Sequence, residues 1–224
     1  MLQKVWVHAK KLPMDLKSLV QVPEAQRNQA WENQFFQTLS QSQLSFMSME
    51  PQTGPDGWPY MLMRTEGDQQ ESFQKLLFWL STRGIGLVIN PGKEYPDYVF
   101  TYGMLWHFRE TGFFFMPVPE RNHGVVEFHP QEVVNAGPPT EKYLPSYVRQ
   151  VLRDFFRDQG ILRPKILVMS TDNINYDLAI SLESLKNPPE QEHQGIAEAI
   201  GWFLPPHYSI LLVSENGLPS FGDL

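Results

Sequence analysis

Phe73-Gln-Lys-Leu-Leu-Phe-Trp-Leu-Ser-Thr-Arg-Gly-Ile-Gly-Leu-Val-Ile-Asn-Pro-Gly92 is the stretch that decides the fold. Phe73, Leu76, Leu77 and Leu80 recur at the spacing of one helix face, and Gly84 supplies a left-handed stop just past the last turn. Ile85 to Ile89 is then a short apolar strand, ended by the bend Asn90-Pro91-Gly92. A phosphate cradle needs its glycines after a strand and before a helix, where free N–H groups meet the anion. Gly84 and Gly86 stand in the opposite order, so they read as a helix cap and a tight turn.

Upstream, Val22 to Leu44 reads as one amphipathic helix, with Pro23 at its first position and Ala30, Trp31, Phe35, Phe36 and Leu39 at near-helical spacing. Ser45 to Glu50 and Trp58 to Thr65 flank the breaker cluster Pro51 to Gly57, the pattern of a hairpin. Downstream, Tyr98 to Phe108 and Gly112 to Met116 read as a second hairpin around Arg109-Glu-Thr-Gly112, and Val125 to His129 as one more strand. The stretch Pro130 to Pro145 holds four prolines, which marks a boundary between domains. Beyond it, Val148, Val151, Leu152, Phe155 and Phe156 form a helix face that stops before Gly160. Lys165 to Met169 and Tyr176 to Leu182 read as paired strands. Pro188-Pro189 opens a helix with Ile196, Ala199, Ile200 and Phe203 on its inner side, and Pro205-Pro206 closes it before the strand Tyr208 to Ser214. The expected fold class is α+β, as two small two-layer α/β-sandwich domains. Residues 1–135 form the first, 136–143 a Pro-rich linker, and 144–224 the second, of αββαβ order.

Composition narrows the chemistry. The chain has 224 residues, 42% of them hydrophobic and 13% aromatic, enough for a real core without cross-links. It contains no cysteine, which excludes disulfides, thiolate zinc sites, iron–sulfur clusters and cysteine nucleophiles. A net charge of -7 opposes phosphate-backbone binding, so nucleic acid is not expected as a partner. Lysines and Asp15 interrupt the apolar residues of Met1 to Leu19, so no signal-peptide core is present, and no window is apolar enough to span a membrane. The expectation is a cytoplasmic protein with no membrane association and no cofactor.

Lys75-Leu-Leu-Phe-Trp-Leu-Ser-Thr-Arg-Gly-Ile-Gly-Leu-Val-Ile-Asn-Pro-Gly92 resembles the helix, glycine, strand and Asn-Pro-Gly ending of the N-terminal domain of the enhanced serine sensitivity (SseB-like) protein family. Leu144-Pro-Ser-Tyr-Val-Arg-Gln-Val-Leu-Arg-Asp-Phe-Phe156, the strand pair after it and the late helix before Tyr208 are similar in order and length to that family's C-terminal domain. The resemblance covers roughly two thirds of the chain and is one of fold. It implies a two-domain α+β protein and brings no catalytic residues with it.

His107, His123, Glu127 and His129, with Glu110 nearby, offer nitrogen and oxygen ligands, and a strand over Val125 to His129 would put Glu127 and His129 on one face. No metal-binding spacing such as H-E-x-x-H accompanies them. Arg149, Arg153 and Arg157 form a cationic stripe that suits an anionic peptide, against the simpler reading of a solvated face partly neutralised by Asp154 and Asp158. Phe113, Phe114 and Phe115 are consecutive, so a strand would point them to both faces and require burial or an interface. Trp58, Tyr60, Trp106, Phe114 and Trp202 are the ring candidates for partner contact. No G-x-S-x-G elbow or S-x-x-K motif is present. Three readings stand: a non-enzymatic protein that binds a protein or peptide partner, a metal-dependent hydrolase using residues 107–129, and a homo-oligomer formed through the aromatic hairpin.

Overall fold

The computed structural model describes residues 15–68, 70–116, 133 and 135–224. The expected strand Val125 to His129 lies outside the described residues. In the first half, α1 (Leu16–Leu19) and α2 (Gln29–Leu39) precede β1 (Gln43–Phe46), β2 (Gln52–Thr53), β3 (Pro59–Arg64), β4 (Gln70–Ser72), α3 (Phe73–Ser81), β5 (Gly86–Ile89), β6 (Tyr98–Phe100) and α4 (Tyr102–Thr111). The sheet runs β4-β1-β3-β5-β6, with β2 also paired to β3. β1 and β3 form the expected antiparallel hairpin, and α3 crosses over to set β5 parallel to β3. The Ser72 side chain caps α3, and Gly84 beyond it takes φ +67°, the left-handed turn its position called for.

Two expected elements are corrected. The helix drawn over Val22 to Leu44 is shorter. Pro23 starts only a 3-10 turn over Glu24–Gln26, and α2 begins after Asn28, whose side-chain oxygen accepts from the N–H groups of Ala30 and Trp31. The second hairpin does not form. After β6 the Thr101 side chain caps α4, which runs until Gly112 closes it at φ +78°. Tyr102, Gly103, Met104, Leu105, Trp106 and His107 are all buried, so the first turn and a half of α4 is enclosed on every side. An apolar run without alternation does not separate a buried strand from a buried helix.

The second half comprises β7 (Asn135–Gly137), α5 (Ser146–Asp158), β8 (Lys165–Ser170), β9 (Asp177–Ser181), α6 (Glu190–Gly201), β10 (Ser209–Val213) and β11 (Gly222–Asp223). Its sheet runs β10-β9-β8-β11, with β7 also on β8. The order αββαβ is present as α5-β8-β9-α6-β10. β7 pairs Ala136 with Met169 and Gly137 with Val168, so the start of the expected linker is a strand of the second sheet.

The same plan occurs twice. α2-β1-β3-α3-β5 and α5-β8-β9-α6-β10 are each a helix, an antiparallel strand pair, and a helix crossing to a third strand parallel to the second. The first sheet is covered on both faces. Met61, Met63, Leu87 and Ile89 point to a core shared with α2 and α3. Tyr60, Leu62 and Val88 point the other way, into a second core with Val148 and Leu152 of α5 and with Trp202, Phe203 and Leu204. The two halves therefore share one of their cores.

Candidate functional site

At the joint, Trp58 stacks on Trp202 with ring centroids 4.7 Å apart. The Trp202 indole donates to the Tyr60 hydroxyl at 2.9 Å, and that hydroxyl donates to Asp56 at 2.6 Å. Burial, reinforced by Asp56, pushes the Tyr60 phenol up to about 12. The Trp106 indole donates to the Phe203 carbonyl. Tyr60, Trp106, Phe114 and Trp202 are buried and Trp58 is half-buried. The ring candidates thus hold the halves together instead of facing a partner, and Phe114 sits inside the first core between Phe100 and Phe108. Only Phe113 of the Phe113–Phe115 run is largely exposed.

The arginine stripe is also engaged within the chain. Arg149 donates to the Leu144 and Pro139 carbonyls, Arg153 to the Leu224 backbone oxygen and the Gln150 side chain, and Arg157 pairs with Asp154. Of the metal candidates, His123, Glu127 and His129 lie outside the described residues. Among the described residues no group of three or more His, Asp or Glu side chains converges in a metal-holding arrangement.

Beside the joint a cleft of about 520 Å³ opens between α4 of the first half and three loops of the second. Trp106, His107 and Glu110 form one wall, His207 and Tyr208 another, and Lys142, Tyr143, Ile174 and Tyr176 the rim. A second hollow of about 350 Å³ along β7 shares Thr140, Tyr143 and Tyr176 with it. The two hollows adjoin at those residues. The far wall of the cleft is the β8–β9 tip, shaped by Asp172, whose carboxylate accepts from the Ile174 and Asn175 N–H groups at 2.8 and 2.7 Å. Those backbone bonds hold the Asp172 carboxyl well below the usual carboxylate range. Ile174 is 79% exposed on that tip.

The rings of His107 and His207 meet edge to face, with centroids 4.7 Å apart. His107 Nδ1 lies 2.7 Å from the Phe113 carbonyl oxygen. A carbonyl oxygen only accepts, so Nδ1 carries the hydrogen and Nε2 holds a lone pair. His207 Nδ1 accepts from the Met116 N–H at 3.3 Å, so in the neutral ring Nε2 carries the hydrogen. Burial lowers the pKa of both rings, and the neighbouring His107 further lowers His207, to about 4. Both are neutral at pH 7. The two rings lining the cleft therefore differ in tautomer, the second ring nitrogen being an acceptor on His107 and a donor on His207.

That arrangement is a poor metal site, because the Nε2–H of His207 blocks ligation until its tautomer changes. His207, Lys142, Tyr143 and Tyr176 were not singled out from the sequence. They lie 35 to 100 residues from His107 in the chain, and only the Pro205-Pro206 bend before His207 hinted that its ring is fixed. No family model, curated protein or solved structure matches the chain.

Proposed function

We propose that this chain is a non-enzymatic, cytoplasmic protein of the SseB-like kind that binds an extended peptide segment of a protein partner in the cleft between its halves. The family part of the reading is supported by the helix, strand pair, helix and strand order of each half. The binding part is carried by the His107–His207 pair. In an extended chain the N–H and C=O of one residue point to the same side, where the pair supplies an acceptor and a donor to match them. The cleft adjoins the second hollow and is edged by Tyr143, Ile174 and Tyr176, which suits a chain laid along it.

The test is selection of peptides from a phage-displayed random library on the immobilised full chain. Selected peptides should lose about 3- to 10-fold in affinity to His207→Phe, the cost of one neutral hydrogen bond, and also weaken to Tyr176→Ala. Absence of any enriched peptide, or peptides that bind both variants as well as the parent, would overturn the reading.

A further inference from the structure

The two units of the repeated plan differ at one edge. In the first, the outer edge of β5 is closed by β6, paired antiparallel, and every residue of β5 is buried. β10 holds the equivalent place in the second, and among the described residues it pairs only with β9. All five of its residues are half-buried. Both faces are nevertheless packed: Ile210 and Leu212 lie against the core shared by the halves, and Leu211 and Val213 against Leu167, Met169 and Ala179. The exposure of β10 is therefore along its edge.

The backbone says which groups that edge presents. The Val213 carbonyl accepts from the Leu182 N–H on the β9 side, at 2.9 Å. Backbone groups alternate sides along a strand, so Ser209 and Leu211 also face β9, while the N–H and C=O of Ile210 and Leu212 point off the sheet. The strand's own sequence carries no edge protection, since Ser209-Ile-Leu-Leu-Val213 has no charge and no proline.

We propose that β10 pairs antiparallel with β10 of a second copy of this chain, about a two-fold axis at Leu211. In that register Ile210 of one copy lies opposite Leu212 of the other, and every outward N–H meets an outward C=O. Leu211 meets Leu211 on one face, and Ile210 sits beside Leu212 on the other, so like side chains join two existing cores. The chain carries a net charge of -7, yet this pairing sets no two charges opposite within the strands, which a strand of arbitrary sequence would not ensure. The antiparallel direction is the one the first unit uses at the same place. A two-fold pairing also closes on itself, so it gives a dimer and no fibre.

Sedimentation velocity on the full chain from about 1 to about 200 µM, the range of a small interface, should show a monomer giving way to a dimer. Leu212→Pro removes an outward N–H without touching the β9 ladder, and Leu211→Lys sets two ammonium groups together. Each should leave the monomer folded by circular dichroism and abolish the dimer. In the parent protein, amide exchange at Ile210 and Leu212 should slow with rising concentration. A monomer throughout the range, a dimer that survives both variants, or exchange at these amides independent of concentration would each overturn the proposal.

Discussion

The indole of Trp106 in α4 donates to the carbonyl of Phe203, 97 residues further along the chain, at 2.8 Å in a fully buried setting. This bond crosses the joint between the halves, where water cannot replace it. Trp106→Phe strands the Phe203 carbonyl and should cost about 1–3 kcal/mol. Urea unfolding checks it, and because the joint is shared, one transition should report both halves in parent and variant alike.

Gly103 lies in the same helix, and its N–H donates to the Trp202 carbonyl at 3.1 Å. A Cβ at this position would sit 2.0 Å from the Leu204 oxygen, and both neighbours are backbone, which cannot swing aside. Gly103→Ala should destabilise by about 1–3 kcal/mol despite the higher helix propensity of alanine. A melting temperature equal to or above the parent's would contradict the close approach.

Asp97 anchors the first half, with its side chain only 1% exposed. It takes Arg27 at 2.6 Å, Lys93 at 2.6 Å and the Asn90 amide at 2.7 Å. Arg27 also donates to the Val20 and Val22 carbonyls, so the carboxylate pins the segment before α2 to the end of β5. Removing one partner of such a buried set is costly. Asp97→Ala should lose about 3–5 kcal/mol, and limited proteolysis should cut first near Val20 to Arg27; an uncut segment would speak against the anchor.

His207 gives stability a pH dependence of defined sign. In the unfolded chain it takes a proton near pH 6.5, and in the folded chain only near about 4. The unfolded state binds more protons in that window, so this contribution is complete above about pH 6.5 and is lost as pH falls toward 4. His107, lowered in the same direction by burial, adds to it. His207→Gln keeps an acceptor for the Met116 N–H and should flatten the urea midpoint between pH 6.5 and 4.5. A slope equal to the parent's would exclude the histidine as its source.

Much of the fold was legible because its signals are local. The Phe73–Leu80 stripe, the Gly84 stop, the Pro51–Gly57 turn and the Pro188–Pro206 helix each rest on a few adjacent residues. The element from Tyr102 to Thr111 was misread because burial on all sides of its first turn and a half erased its period, and a Thr cap followed by Gly112 was the remaining clue. The site was harder. His107 stood out as a possible ligand, but its partner His207 is 100 positions away, and their complementary tautomers depend on the backbone of Phe113 and Met116. The rings chosen as contact residues were well placed for a different reason, since a large buried joint and a binding surface draw on the same side chains.

Because Tyr60, Val88, Tyr102 and Trp106 complete an interior whose other buried members come from Leu144 onward, the second half does not own the whole of its main core. A chain severed between the halves would leave the second fragment with an open core face until it found the first. Despite its repeated plan, this gene product can be lengthened at its surface but not recombined module by module.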